Sequence, residues 1–411
     1  MNNFDITVIG GGASGLCFAI SLAKQNPLLK IAVLEALDRV GKKLALTGNG
    51  QCNISNKNLN LERFHSNNTN FANNALTKFG FAETKDFFSA IGVEIVCKED
   101  GRAYPRSFQA SSVVDALRFE AETLGINVFY NCRVNGVKKK NNLFNIESEQ
   151  EKFSSKYVVL ATGLLSGADK VGSFGDGVRI LESLGHKRVK MTPAIVQLKA
   201  ENPFLRRLKG IKTDAVASLY IGGKLFRTES GEVLFTEYGL SGPPILQLSR
   251  ETARDNKNCE IAVDLMPELS NEELIKLLFK RRECLKARNK EHFLTCLLQN
   301  RLAQTLLVAC NIELSEKIEL LSDSEIKLIA QTIKGFKFKV TGNTGFIHSQ
   351  VTAGGINVDD FDSRSMQSKI VKGLFALGEL LDIDGDCGGF NLAWCWASAL
   401  TAAEYIAEET K

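Results

Sequence analysis

Three glycines near the start of the chain have the spacing that is needed to hold a phosphate group. Gly10, Gly12 and Gly15 form a G-x-G-x-x-G pattern, with Ala13 and Ser14 between the last two. In a dinucleotide fold the first glycine permits a sharp turn, the second lets backbone approach a pyrophosphate, and the third lets the helix pack closely. Free N–H groups and a partial positive charge at the start of that helix would complete the anion site.

The elements that must position these glycines are also indicated by the sequence. The apolar run at residues 4–9 predicts a buried parallel strand, and apolar residues at helical spacing follow Gly15. A second strand at 30–34 ends at Glu35, which is followed by Ala36 and lies twenty residues beyond Gly15. A carboxylate there can accept hydrogen bonds from ribose hydroxyls but would repel a 2′-phosphate. The expected ligand is therefore FAD or NAD and not NADP.

The composition is typical of a globular protein with two or three domains. The chain has 411 residues, of which 44% are hydrophobic and 24% charged. A net charge of +4 is mild and suggests no nucleic-acid partner. Ten cysteines without a C-x-x-C pair or zinc spacing indicate reduced thiols and no metal site. We expect a cytoplasmic protein without a signal peptide or a membrane span, and the composition does not define its oligomeric state.

A segment rich in glycine and asparagine follows the second strand. In an FAD enzyme this segment passes along the cofactor toward the flavin, where glycines allow close approach and asparagines offer hydrogen bonds. A polar surface loop held by turn chemistry explains the pattern equally well. The residues that we assign to the cofactor here are Lys43, Gly48, Asn49, Gly50, Cys52 and Asn53.

The start of the chain and four further stretches together resemble one known family. These stretches are residues 41–53, 235–243, 352–356 and 373–392, in which 388–392 read Gly-Gly-Phe-Asn-Leu. The chain resembles the BaiN-like, or aminoacetone oxidase-like, family of NAD(P)/FAD-dependent oxidoreductases along nearly its whole length. Gln51 stands where this family usually has arginine, and Leu164-Leu165 replace a glycine-rich turn. These differences concern the substrate more than the cofactor.

The resemblance implies FAD as the cofactor and adds residues to its site. A strand at 157–160 would end near the pyrophosphate, and the strand at 127–130 would return to the FAD sheet and cover the adenine side. A carboxylate near 379–382 would bind the ribitol or lie near the pyrophosphate, and a helix from 392 would direct its N–H groups at the flavin. The implied residues are Val134, Ala161, Thr162, Gly163, Gly354, Gly355, Gly378, Glu379, Asp382, Gly388, Gly389, Phe390, Asn391 and Leu392.

The expected fold class is α/β, with a Rossmann-like FAD-binding domain of the two-dinucleotide-binding-domain flavoprotein type. We assign residues 1–190 and 342–411 to that domain. Short alternating strands, with turns at 222–223 and 230–231, predict a β-barrel-like part over 191–260. Helical patterns then predict a helical cap over 261–341. Together these form an inserted domain over 191–341.

Two residues are candidates for catalysis. Cys52 lies in the expected flavin-side loop, although a lone cysteine is more simply explained as a packed residue. His348 precedes the expected flavin segment and could donate a proton or contact substrate, although a structural role is favoured. His65, His186 and His292 have no such context in the sequence.

The expected activity is that of a FAD-dependent oxidoreductase, which passes a hydride through the flavin between NAD(P)H and a small organic substrate. NAD(P)H would bind transiently, because no second nucleotide fingerprint is present. One alternative is an oxygen-dependent oxidase of a small amine. Another is an RNA-modifying flavoprotein, which the basic residues at 280–290 would support. A solvent-facing amphipathic helix explains those residues more simply, and the mild net charge disfavours RNA.

Overall fold

The computed structural model describes residues 2–167, 172, 174–253 and 258–411. The chain forms two compact units, of which the first comprises Met1–Pro193 with Phe346–Lys411, and the second Ala194–Gly345. The second unit is therefore inserted between two parts of the first.

A parallel sheet forms the centre of the first unit. Strand β1 (Asn2–Ile9) pairs with β2 (Ile31–Leu34) on one side and with β10 (Lys152–Leu160) on the other. Strand β7 (Asn127–Phe129) extends the sheet beside β2, and β19 (Leu374–Ala376) pairs with the end of β10. The ends of β1, β2 and β10 are fully buried, as expected for parallel strands that are covered on both faces. The predicted return of the 127–130 strand to this sheet is confirmed.

An antiparallel hairpin extends the same sheet. Strands β8 (Val134–Lys140) and β9 (Leu143–Ser148) pair with each other, and β9 pairs with the first half of β10. Asn141 and Asn142 both have positive φ, which is the conformation of a tight hairpin turn. These two asparagines therefore form the turn that joins β8 and β9.

Two helices pack against each other over the central sheet. Helix α1 (Ala13–Gln25) follows β1, and α12 (Phe390–Glu409) contacts it along its length. Both tryptophans of α12 are buried and donate through Nε1 to backbone carbonyls, Trp394 to Gly378 and Trp396 to Ile54, each at 2.9 Å. These bonds attach two loops of the expected cofactor site to α12.

Smaller elements surround the sheet of the first unit. Strands β4 and β20 pair with each other, β11 pairs with β18, and β3, β6 and β5 form a three-stranded sheet. Strands β5 and β6 form a hairpin, and the helix α5 follows it. These elements are α2 (Lys42–Leu46), β3 (Ser55–Asn56), β4 (Phe64–His65), α3 (Asn70–Lys78), α4 (Phe81–Ser89), β5 (Ile95–Cys97), β6 (Arg102–Pro105), α5 (Ala110–Thr123), α6 (Asp176–Ser183), β11 (Arg188–Ala194), β18 (Val351–Ile356) and β20 (Asp384–Gly385).

The second unit is a closed antiparallel barrel with helices. The predicted α/β fold class with an inserted barrel is thereby confirmed. The barrel strands are β12 (Leu198–Glu201), β13 (Lys212–Ile221), β14 (Lys224–Phe235), β15 (Gly239–Ser241), β16 (Cys259–Asp264) and β17 (Phe336–Asn343). The helices are α7 (Leu205–Leu208), α8 (Pro243–Thr252), α9 (Asn271–Leu285), α10 (Asn300–Ala309) and α11 (Asp323–Lys334).

Two details of the prediction for this unit are wrong. Strand β14 continues through Ser230-Gly231, where a turn was predicted, and Gly231 has a φ of 145°, which glycine tolerates. Strand β17 begins within residues 261–341, which were predicted as a helical cap, and it closes the barrel between β12 and β16. Its residues alternate between buried and exposed along 336–340, so the period of a strand was present there.

The basic residues near 280–290 lie on α9 and in the segment that follows it. The Arg281 guanidinium donates to two backbone carbonyls of the loop after α9, at 3.0 and 2.9 Å. Arg282 pairs with Asp323 at 2.8 Å, and the nearly buried Lys290 pairs with Glu316 at 2.6 Å. Helix α9 buries Leu274 and Leu278 and leaves Lys280 exposed, so the predicted solvent-facing amphipathic helix is present.

Candidate functional site

The three glycines of the first turn have different surroundings. A Cβ atom on Gly10 would lie 2.5 Å from the Ala161 carbonyl oxygen, and one on Gly15 would lie 2.0 Å from the Gly10 carbonyl oxygen. A Cβ atom on Gly12 would meet nothing within 4 Å. Gly12 is the N-cap of α1 and provides no side-chain cap. Packing therefore requires Gly10 and Gly15, whereas Gly12 opens the helix N-terminus to a space that could hold a phosphate.

Glu35 ties the glycine turn to the end of β2. Its Oε2 accepts from the Gly11 N–H and its Oε1 from the Leu37 N–H, both at 2.9 Å. Burial raises the pKa of Glu35 above its ordinary value, and these two backbone hydrogen bonds lower it in part. Each oxygen keeps a second acceptor position, so a ribose hydroxyl could still bind. The Glu35 carboxylate therefore holds the glycine turn in place, and its binding of ribose stays a prediction.

The predicted adenine side lies beside Glu35. The Cys132 N–H donates to the Glu35 carbonyl oxygen at 2.8 Å, and the buried Val134 begins β8 two residues later. Ala36 follows Glu35 directly and is only half-buried. The structure thus places Ala36 and Val134 on chain segments that are joined by a backbone hydrogen bond.

The ends of three parallel strands meet at the start of α1. Gly10 follows β1 and lies close to Ala161, which follows β10. Gly378, which follows β19, has a φ of 62°, and a Cβ atom there would lie 2.9 Å from Ser14 Oγ. In open α/β sheets, ligands bind at the carboxyl ends of the strands. Four of the residues predicted from sequence thus lie together at that edge.

A partly buried ion pair lies next to this edge. The Lys43 ammonium of α2 contacts both Glu379 and Ser166. Glu379 Oε1 also accepts from the Thr352 N–H at 2.9 Å and from Ser166 Oγ at 3.1 Å. A Cβ atom on Gly163 would lie 3.9 Å from Glu379 Oε2. Lys43, Gly163 and Glu379 were predicted from sequence, whereas Ser166 was missed because no motif marks it.

The glycine- and asparagine-rich loop packs against the start of α12. A Cβ atom on Gly389 would lie 2.3 Å from the Ser55 carbonyl oxygen and 2.8 Å from Asn53 Oδ1. Asn56 Nδ2 donates to the Gly388 carbonyl oxygen at 2.9 Å. Among the described residues, Asn53 Oδ1 is buried without a hydrogen-bond partner. A buried acceptor without a donor is costly, so this atom marks a place for a ligand donor.

The other predicted loop glycines have mainly local roles. Gly48 and Asn49 adopt left-handed backbone within a short 3-10 turn, Thr47–Gly50, and a Cβ atom on Gly48 would lie 2.9 Å from the Asn53 nitrogen. A Cβ atom on Gly50 would meet nothing within 4 Å. These residues shape the loop and leave one side of it open.

Several predicted residues near the C-terminal part hold elements together. A Cβ atom on Gly354 would lie 2.3 Å from the Lys190 carbonyl oxygen, and one on Gly355 would lie 2.8 Å from the Leu380 carbonyl oxygen. Thr162 stands against α6, where a Cβ atom on Gly177 would lie 2.1 Å from Thr162 Oγ1. Close packing accounts for the two glycines without a ligand.

The residues around the start of α12 are also engaged within the first unit. Asp382 Oδ2 accepts from the Asn67 N–H at 3.1 Å. The Asn391 amide exchanges two hydrogen bonds of 2.8 Å with the Gly385 backbone. Phe390 is buried and Leu392 is half-buried. Asp382 therefore anchors the segment at 66–67, and its contact with ribitol or pyrophosphate stays a prediction.

The two catalytic candidates differ in exposure. Cys52 is fully buried, and burial raises the pKa of its thiol to about 12. The thiolate that redox chemistry needs is therefore scarce at neutral pH. His348 is exposed and ends the short 3-10 helix Phe346–His348.

Cys52→Ala is expected to leave turnover within about twofold of the native value, because a protonated, buried thiol acts as a small packed side chain. Flavin absorbance and turnover rate measure the effect, with the exposed Cys97→Ala as the matched control. A loss of more than tenfold in turnover, with FAD still bound, would instead make Cys52 a catalytic group.

A second cluster of side chains that could transfer protons was not predicted from the sequence. His65 Nε2 lies 2.8 Å from Asp386 Oδ1, and Arg63 donates to Asp386 Oδ2 at 3.3 Å. The only available signal was the alternation of Asp382, Asp384 and Asp386 after β19. His65 itself stands in a stretch without a recognisable pattern.

Within the part of the chain that the structure describes, no group of histidine, cysteine, aspartate and glutamate could hold a metal ion. None of the helices in that part combines the length and the apolar character that crossing a membrane demands.

The glycine turn, the parallel strands and the acidic residue at the end of β2 define a dinucleotide-binding protein of the Rossmann type. The chain belongs to the HI0933-like family, whose Rossmann-domain model matches residues 4–405. The resemblance inferred from the sequence motifs is thereby confirmed at the level of the family.

Relatives that carry enzyme names match this chain over almost its whole length. A 3-dehydro-bile acid delta(4,6)-reductase of Clostridium scindens is 32% identical over 406 residues, which are 98% of this chain and 99% of the relative. A ribosomal RNA dihydrouridine synthase of Haemophilus influenzae is 27% identical, with 98% of each chain covered. The same enzyme name is carried by an Escherichia coli relative at 27% identity, again with 98% of each chain covered.

Solved structures show the same fold at low identity. The 3-ketosteroid delta1-dehydrogenase of Sterolibacterium denitrificans aligns with a TM-score of 0.52 at 12% identity, and the alignment covers 100% of both chains. The E. coli quinol fumarate reductase aligns with a TM-score of 0.50 at 17% identity, over 99% of this chain and 71% of that one.

Proposed function

We propose that this protein is a FAD-dependent reductase, which uses NAD(P)H to reduce a carbon–carbon double bond conjugated to a carbonyl group. The observation that carries the proposal is the opening at Gly12. Packing leaves no room for a side chain at Gly10 or Gly15. The space around Gly12 is open, at the N-terminus of α1 and the carboxyl edge of the sheet. The full-length likeness to a named reductase supports the direction of the reaction.

The residues present fit FAD. The N–H groups at the start of α1 would hold the pyrophosphate, and Glu35 would accept from the adenosine ribose. The Lys43–Glu379 pair would meet the ribitol, and the unpartnered Asn53 Oδ1 would accept from a donor of the ring system. Bound there, FAD would supply two-electron hydride chemistry, and the protein would supply binding, orientation and electrostatics.

The start of α12 would contribute electrostatic stabilisation. This helix runs from Phe390 to Glu409 and has no side-chain cap at Gly389. A helix N-terminus stabilises a negative charge beside it by about 1–2 kcal/mol in a partly buried setting. The site would therefore favour a ligand that gains negative charge when it is reduced.

The names of the relatives favour one type of substrate bond. Reduction of a 3-oxo bile acid at its 4,6 double bonds and conversion of uridine to dihydrouridine share one chemistry. In both, the double bond is conjugated to a carbonyl, which makes the distal carbon electrophilic. Reduction of each double bond consumes one hydride and one proton. We propose a small conjugated carbonyl compound as the first substrate class.

RNA is the second candidate substrate. It is favoured by the two relatives that are named as ribosomal RNA dihydrouridine synthases. The basic residues that first suggested RNA, Arg281, Arg282 and Lys290, are bound within the second unit. Phosphate contacts would therefore have to use other cations.

An anaerobic titration of the purified protein with NADH and then NADPH tests the proposal through the oxidised-flavin absorbance band. Absence of a flavin band after added FAD would contradict the cofactor assignment. Bleaching by one nucleotide, followed by return of the band with a 3-oxo-Δ4,6 bile acid or with unmodified ribosomal RNA, would support the reductase and select its substrate. A band that resists both nucleotides, yet bleaches with small amines, would favour an amine oxidase instead.

A further inference from the structure

Three buried carboxylates lie beside the start of α12. Asp382, Asp384 and Asp386 occupy alternate positions around β20, with exposed fractions of 2%, 1% and 6%. Strand β4 runs antiparallel to β20 and places His65 opposite Asp384. Buried carboxylates require partners, and the segment that contains His65 supplies several of them.

One of these contacts fixes an imidazole ring. His65 Nε2 lies 2.8 Å from Asp386 Oδ1. Because a carboxylate can only accept, Nε2 carries the hydrogen in this contact. The backbone reinforces the pair, since the Asp386 N–H donates to the Arg63 carbonyl oxygen at 2.8 Å. Nδ1 is therefore the ring atom that is left to hold and release a proton.

The pair is attached to the element expected beside the flavin. Phe64, the neighbour of His65, packs edge-on against Phe390 at 5.9 Å between ring centres. The Asn391 amide also donates to the Asp386 carbonyl oxygen, at 3.3 Å. The first turn of α12 thus contacts both chain segments that form the pair.

The ring is also accessible. The His65 side chain is 21% exposed, whereas the Asp386 side chain is 5% exposed. Within the described residues, His65 Nδ1 makes no hydrogen bond. A partly exposed imidazole with a buried carboxylate behind it is the usual arrangement of a general acid.

We propose that His65 is the proton donor of this reductase and that Asp386 is its positioning residue. The inference rests on the function proposed above. In the overall reaction, NAD(P)H, a proton and the conjugated double bond give NAD(P)⁺ and the saturated product. The hydride forms the new C–H bond at the carbon distal to the carbonyl. The displaced π-electron pair takes the Nδ1 proton at the carbon beside the carbonyl, and solvent returns a proton to the neutral imidazole.

The test measures the two half-reactions, flavin reduction and flavin reoxidation, separately in each of three variants. These variants are His65→Ala, His65→Gln and Asp386→Asn. The flavin is first reduced photochemically, so that the result does not depend on the nucleotide, and its reoxidation by the substrate found above is followed anaerobically. We expect reoxidation to slow by about 100-fold in His65→Ala and about 10-fold in Asp386→Asn. Flavin reduction by NAD(P)H should stay within about twofold of the native rate.

Two further readouts exclude a purely structural role. Imidazole added to His65→Ala should restore part of the reoxidation rate, and the native enzyme should show a solvent deuterium isotope effect on that step. The exposed His292→Ala serves as the matched control. Equal loss in both half-reactions, or unchanged reoxidation in both His65 variants, would overturn the inference and leave the reductase standing. Failure of the native protein to reduce any conjugated acceptor would overturn both.

Discussion

Gly12→Val is expected to fold normally and to lose FAD, whereas Gly15→Val is expected not to fold. Gly12 has φ −85° and ψ −164°, which a valine can adopt, and a Cβ atom there meets nothing within 4 Å. Its side chain would fill the space proposed for the pyrophosphate. A Cβ atom on Gly15 would instead lie 2.0 Å from a backbone oxygen, which cannot move without opening the strand–helix turn.

We expect the Kd for FAD to rise at least 100-fold in Gly12→Val, which corresponds to about 2.7 kcal/mol. Fluorescence titration with FAD measures the affinity, and urea unfolding of the ligand-free protein measures stability. Gly136→Val is the matched control, because it also has open space around its Cβ position but lies in β8. Native FAD affinity in Gly12→Val would contradict the assignment of the pyrophosphate site.

Glu379→Gln is expected to weaken both the fold and FAD binding. The native carboxylate accepts from the Thr352 N–H and Ser166 Oγ and pairs with Lys43. The amide leaves the Lys43 ammonium without its counter-charge, and Glu379 is only 14% exposed. Because the lysine is about one-third exposed, we expect a loss of about 2 kcal/mol, which is below the value for a fully buried pair.

A double-mutant cycle isolates this pair. Lys43→Met should cost about 2 kcal/mol alone, because it leaves the carboxylate unpaired, but little in the Glu379→Gln background. Urea unfolding of the ligand-free variants and FAD titration are the two measurements. The exposed pair of Lys209 and Glu237 provides a control cycle, for which the coupling should be much weaker because solvent screens both charges. Additive effects at Lys43 and Glu379 would show that the contact contributes no coupling.

The first strand, the glycine turn, α1 and the second strand could be predicted from the sequence alone. Their signals are local, because strand period, glycine spacing and helical period all fall within residues 4–35. The same holds for the hairpin turn at Asn141-Asn142 and for α9, whose Ser270 and Glu273 form a capping box. In each case the residues that make the structure are neighbours in the chain.

Pairs that lie far apart in the chain could not be predicted in this way. Lys43 and Glu379 are 336 residues apart, and His65 and Asp386 are 321 residues apart, so no spacing rule connects them. Strand β17 had the alternation of a strand, but its place between β12 and β16 depends on which edges the barrel leaves unpaired. A periodic pattern specifies which face of an element is buried, and the partner of that face emerges only when the whole chain packs.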